Sequence, residues 1–213
     1  MRNILLALTL SFSITFLFGQ KESVFFLGEF SVSMNRTNLK DNNTSDGIGF
    51  GLGAYHTFLK NKKVNLIFGF EYNRTTQEKE YMSRGHFSHA TNITYSIDCL
   101  SIPLNARVYF GNHVRVFVES GAFIDLTLGA KENGTMHTYS PTEGSPYSEY
   151  EYKENTDISP VNYGVSLGMG ILVPISKVDL IIKPEYKYGF KPLYDYHDQI
   201  FNRYFRLVVG IKI

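Results

Sequence analysis

The sequence predicts an all-β fold: an eight-stranded antiparallel up-and-down transmembrane β-barrel with long extracellular loops and short periplasmic turns. Three observations predict it. Eight stretches place an apolar side chain at every second position, the period of a strand with one apolar face. The connections between them alternate between very short and long, and an even strand number with that asymmetry marks a bacterial outer-membrane barrel. An apolar leader precedes the first stretch, as export requires.

The leader comes first. Residues 1–19 read as a secretory signal, leaving 20–213 as the barrel domain. Arg2 supplies the positive start, Ile4 to Phe18 the apolar run, and Gly19 a small residue before cleavage. A retained anchor helix fits less well, because the run is short and no second one follows.

The strands follow in order. The first is expected over Val24–Met34, the second over Gly47–Phe58 and the third over Val64–Arg74. The fourth is expected over Tyr95–Phe110, the fifth over His113–Ala130 and the sixth over Val161–Ile175. Val178–Phe190 and Arg203–Ile213 complete the set. Residues 59–63, Gly111-Asn112 and Ser176-Lys177 are tight turns, whereas 35–46, 75–94, 131–160 and 191–202 are long and polar. This order sets both termini on the periplasmic side.

Each strand has two unlike faces. One carries rows such as Ile48, Phe50, Leu52 and Ala54, or Phe205, Leu207, Val209 and Ile211, with no charge among them. A charge facing lipid near the midplane costs about 2–4 kcal/mol, so this row is the lipid side. The opposite face collects Glu29, Glu71, Glu119, Asp125, Asp179 and Glu185 with Arg107, Arg115, Lys183, Lys187, Arg206 and Lys212. Charges survive burial only when paired and hydrogen-bonded. Eight strands enclose a lumen about wide enough for side chains to fill, so the expectation is a plug of ion pairs. Gly47, Gly49, Gly51 and Gly53 on the second strand, and Gly164, Gly168 and Gly170 on the sixth, point inward and leave room for long side chains.

A soluble eight-stranded barrel would reverse these faces, with its apolar row inside. The glycine-dotted charged face argues for the membrane, as a crowded interior would need glycine. So do Tyr72, Tyr186, Tyr188 and Phe190 at one rim and Phe58 and Phe110 at the other, where aromatic belts lie.

Bulk composition agrees. Hydrophobic content is 43%, with 15 Tyr, 17 Phe and no Trp; a barrel needs only one apolar face per strand. Without Arg2 the basic and acidic residues balance, which argues against a nucleic-acid partner. The one cysteine, Cys99, forms no intramolecular disulfide and reads as buried and inert.

Several segments also resemble a known family. Leu100-Ser-Ile-Pro-Leu-Asn-Ala-Arg-Val-Tyr-Phe110 is similar to a strand of the PorT-like outer-membrane β-barrel family of Bacteroidetes-type bacteria. Val118-Glu-Ser-Gly-Ala-Phe123, Asn162–Gly170, Glu185-Tyr-Lys-Tyr-Gly189 and Leu207–Ile213 fit the same pattern. The resemblance spans most of the chain and implies an outer-membrane barrel. It does not carry over the role in gliding and type IX secretion of the member that names the family. The chain also ends in Ile213, where many outer-membrane strands end in an aromatic.

Chemistry is sparse. His86 and His89 sit three apart, but no further Cys or His completes a metal site. His89, Ser88 and Asp98 are the types that an enzyme at the extracellular rim would use, yet no spacing brings them together. No cofactor is expected. The 131–160 loop interleaves Tyr139, Tyr147, Tyr150 and Tyr152 with Glu132, Glu143, Glu149, Glu151, Glu154 and Asp157, a composition suited to adaptable contact. The reading is a non-enzymatic outer-membrane protein with a structural or surface-interaction role and a lumen plugged by charged side chains. The alternatives are a narrow solute channel and the rim enzyme. Its partners are outer-membrane lipid, the barrel-assembly machinery and an extracellular ligand at 131–160.

Overall fold

The structure, a computed structural model, describes residues 27–37, 44–58, 63–139, 147–193 and 201–213. The leader expected over 1–19 and the start of the first strand lie outside them, as does Glu143. Ten strands are present among the described residues. They are β1 (Glu29–Thr37), β2 (Thr44–Asp46), β3 (Ile48–Phe58), β4 (Val64–Ser83) and β5 (Ser88–Phe110). The rest are β6 (Arg115–Thr138), β7 (Ser148–Asn155), β8 (Val161–Ile175), β9 (Val178–Pro192) and β10 (Phe201–Lys212).

Eight of them close a ring, each antiparallel to its neighbours, in the order β1, β3, β4, β5, β6, β8, β9, β10. The ring shuts where β1 pairs with β10, from Glu29 opposite Lys212 to Thr37 opposite Tyr204. This is the expected eight-stranded up-and-down barrel. Closure leaves no strand edge in the wall, and every backbone polar group of a membrane wall needs a partner.

The two additional strands correct the loop assignment. Residues 75–94 are mostly strand: β4 and β5 run on together to a tip at Arg84–Phe87, pairing as far as Ser83 opposite His89. Gly85 at φ +126° makes the turn. Residues 131–160 likewise hold the end of β6 and all of β7, paired from Lys131 opposite Asn155 to Thr138 opposite Ser148. The reason is solvent. Beyond the lipid a strand needs no apolar row, so Thr75-Thr76-Gln77-Glu78-Lys79 loses the period of two while keeping residues that a sheet accepts. β2 flanks β4 at this level. The sheet that leaves the barrel therefore runs β2-β4-β5-β6-β7. At the other end the connections are tight, with Gly111 at φ +92° and Ser176 at φ +57°. Short turns face the periplasm, so the sheet projects outside the cell.

The faces are the expected ones. Leu52, Phe70, Leu104, Ile124, Leu167, Leu207 and Val209 all point outward and are exposed. Glu29, Glu71, Arg107, Glu119, Asp125, Lys183, Glu185, Lys187 and Arg206 point inward and are buried. Apolar layers bound these charges. Phe117, Leu172 and Ile181, with Tyr109, fill the periplasmic end, and Ile97, Cys99, Ala130 and Leu193 lie above.

Candidate functional site

Nine inward charges, drawn from six strands, form one alternating series. Glu29 on β1 receives both terminal nitrogens of Arg107, at 2.9 and 2.8 Å. Arg107 also donates through Nε to Glu119, at 2.5 Å. Lys183 bridges Glu119, at 2.8 Å, and Glu185, at 3.1 Å. Arg206 donates Nε to Glu185 and grips Glu71 with both terminal nitrogens, at 2.8 and 2.6 Å. Lys187 completes Glu71 at 2.5 Å and donates to Ser101 at 2.8 Å. Ser101 in turn donates to Asp125.

The order along the lumen is thus Glu29, Arg107, Glu119, Lys183, Glu185, Arg206, Glu71, Lys187, Asp125. Each cation lies between two anions. The arrangement is strong because arginine forks match two carboxylates at once. It is also selective, because a buried charge without its partner costs several kcal/mol.

Arg115 stands apart from this series. It pairs with Asp179 at 3.0 Å near the periplasmic mouth, where both side chains are partly open to solvent. Lys212 lies nearby, 3.4 Å from the Tyr109 hydroxyl.

Neutral inward residues complete the network, and reasoning from charge alone passed over them. Tyr55 donates to Glu71 at 2.8 Å, Asn73 donates to Glu71 at 3.1 Å, and Asn105 donates to Glu119 at 2.8 Å. Asn202 donates to Asp125 at 3.3 Å. Their alternation with outward apolar residues was the available signal. The glycines make room for rings: a Cβ at Gly53 would fall 2.2 Å from the Tyr55 hydroxyl, and one at Gly170 2.5 Å from the Phe117 ring.

The strand extension has its own order. Arg84 at the β4–β5 tip and Tyr152 on β7 both donate to Glu132 on β6, joining three strands. Burial, aided by that hydrogen bond to Glu132, pushes the Tyr152 phenol up to about 12. Ala90, Ile93, Tyr95, Met82 and Met136 pack on the same side. On the opposite side a row of rings crosses the sheet. His89 stacks on His137 with centroids 4.6 Å apart, and Tyr81, Tyr139 and Tyr147 continue the row at 5.1–5.9 Å. His137 bonds Thr91 at 2.8 Å and the Tyr147 hydroxyl. His89 is therefore part of a packed row and not a free loop side chain.

Asp98 faces the outer wall, where Arg74 and Tyr72 bind it at 2.6–2.8 Å. It lies nine residues along β5 from His89, or about 30 Å at ~3.3 Å per residue. The residues drawn on for a rim enzyme are thus kept apart. Among the described residues no cluster of His, Cys, Asp and Glu has the makings of a metal site.

A family model described as an outer membrane protein beta-barrel domain matches residues 3–195. The chain belongs to that family. This outer-membrane barrel is also similar in fold to several solved structures. Neisserial surface protein A shares 15% identity over 87% of this chain and 94% of its own, with a TM-score of 0.47. The attachment invasion locus protein Ail of Yersinia pestis shares 13% over 88% and 98%, at 0.36. The N-terminal β-barrel domain of Pseudomonas aeruginosa OprF shares 12% over 87% and 98%, at 0.34. Among curated proteins, none matches the chain. The barrel resides in the outer membrane, with its apolar rows against lipid.

Proposed function

We propose that this barrel is a non-enzymatic surface-interaction protein. Its membrane part is a rigid stand, and its contact surface is the sheet that projects from it. The observation that carries the reading is the continuation of β4, β5 and β6 past the lipid into a sheet joined by β2 and β7. That sheet exposes Tyr81, Tyr139, Tyr147 and Tyr150 beside Glu149 and Glu151. Rigid aromatic side chains among carboxylates are economical contact residues, because they lose little entropy on binding.

The lumen supports the same division of labour. A series of paired charges from Glu29 to Lys187, carried on to Asp125 by Ser101, lies between two apolar layers and leaves little path for a solute, which speaks against the narrow channel. Within the wider family, the resemblance of the motifs at 100–110 and 162–170 supports reading this member as one of the PorT-like barrels of Bacteroidetes-type bacteria. A signal over residues 1–19 directs export, and the barrel-assembly machinery inserts the chain.

The test shortens the β6–β7 hairpin. Gly134 and Tyr152 are paired, so removing residues 135–151 joins neighbouring ends. Cells displaying the shortened barrel should keep the heat-modifiable folded band and lose adhesion to surfaces coated with extracellular protein. Adhesion equal to that of the full barrel would sink the proposal.

A further inference from the structure

We infer that β7 is an open docking edge for an extended basic segment of another protein, which pairs with it as an added strand. The inference rests on the surface-interaction reading and names the kind of partner. β7 hydrogen-bonds to β6 along an unbroken register from Ser148 to Asn155. Among the described residues it has no neighbour on its other side, so the projecting sheet ends there. Alternate residues of such a strand direct their N–H and C=O groups away from the sheet. Seven of its eight residues are exposed, and Tyr152 alone is buried.

Natural edges are usually blunted by proline, by a bulge or by brevity. β7 has no proline, no register shift and eight residues. Its protection is charge, and charge also selects the occupant. Glu149, Glu151 and Glu154 stand against Lys153 alone. On the β6 side Glu149 faces His137 and Glu151 faces Thr135, so neither has a lysine or arginine across the strand pair. A second copy of β7 would bring a further excess of carboxylates and be repelled.

A strand added to the free edge sets its side chains about 5 Å from those of β7, near enough for a lysine or arginine to pair with Glu149 and with Glu151, which share one face of the strand. Tyr150, on the other side of the strand and half exposed, offers an apolar contact between them. The occupant is therefore a segment alternating basic and apolar residues. The backbone supplies the affinity and the alternate side chains the selectivity, as in other strand-addition complexes.

The experiment uses the full barrel in lipid nanodiscs and a fluorescent eight-residue peptide alternating lysine and valine. Binding is read by anisotropy. The peptide should bind, and Glu149→Lys with Glu151→Lys should weaken it at least tenfold. Methylating alternate backbone amides of the peptide, which removes the donors and leaves the charges, should also weaken it at least tenfold. Amide exchange within β7 should slow when the peptide is bound, a readout independent of any variant's folding.

Equal binding by the methylated peptide would reduce the effect to charge adsorption and overturn the inference. So would binding insensitive to the glutamate changes, or β7 amides left unprotected. If the peptide fails to bind while the 135–151 deletion still abolishes adhesion, the edge is wrong and the surface reading stands. If adhesion also survives the deletion, both fall.

Discussion

Arg206→Met tests whether the inward charges act as one network. The substitution keeps length and apolar bulk and removes the guanidinium. Arg206 makes three hydrogen bonds to two buried carboxylates, two to Glu71 and one to Glu185. Hydrogen bonds to charged groups contribute about 1.5–3 kcal/mol each, and breaking a buried ion pair from one side costs about 3–5 kcal/mol. Glu71 retains Lys187 and Glu185 retains Lys183, which places the loss near the low end, about 3–4 kcal/mol. At about 2–4 °C per kcal/mol for a chain of this size, the folded band should be lost some 6–16 °C sooner. The assay is the heat-modified shift on gels, with urea unfolding in vesicles as a check.

The second half of the test is a double-mutant cycle with Glu185→Gln. Removing Arg206 and Glu185 together splits the series into two parts that each still alternate: Glu29 to Lys183, and Glu71 to Asp125. The pair should therefore cost less than the sum of the singles by about 2 kcal/mol, within the usual range for groups in one network. Additive losses, or a single Arg206→Met loss under about 0.5 kcal/mol, the scale of an ordinary surface change, would refute the network.

Three further outcomes follow from the same geometry. Leu167→Arg puts a charge on the lipid face of β8 and should weaken folding into vesicles by about 2–4 kcal/mol if it lies at the midplane; unchanged folding would contradict the face assignment. Gly53→Ala drives a methyl into the Tyr55 ring and should cost about 1–3 kcal/mol, with part recovered by adding Tyr55→Leu; no cost would mean that the ring lies elsewhere. Cys99, 3% exposed beneath Leu193, should resist maleimide in the folded barrel and react fully in urea; fast labelling of the heat-modifiable form would show that the upper layer is open.

The barrel was legible in the sequence because lipid is an unforgiving solvent. Rows such as Phe205, Leu207, Val209 and Ile211 admit no charge, so the strand faces could be read directly. Which inward charges meet was less legible. Arg206 and Glu71 are 135 residues apart, and their contact depends on the register at ring closure. Phe117, Leu172 and Ile181 were hidden by the same rule that exposed the charges: parity says that they point inward, but not that they gather into a layer. The projecting sheet was hidden because water accepts polar residues on both faces, and the period of two disappears beyond Arg74. Its marks were Thr and Tyr content and the tip at Gly85, signals weaker than the lipid-facing row.

The inward charges also bear on how such a chain reaches its membrane. Buried ion pairs often add little stability over well-packed apolar residues, so stability alone is a poor reason for nine buried charges. With apolar residues on both faces, consecutive strands would fuse into a long apolar run. Residues 161–175 already contain no charged side chain, and Asp179, Lys183, Glu185 and Lys187 follow directly on β9. Replacing those four by leucine would leave Lys177 as the single charge across residues 161–190, a stretch well beyond the ~18 residues with few charges that read as a transmembrane helix. A chain bound for the outer membrane must not be retained in the first membrane it crosses. Charges at alternate positions break the helical signal while leaving the lipid-facing row intact. Once the ring closes, each finds its opposite inside the lumen, where the cost of carrying it is offset.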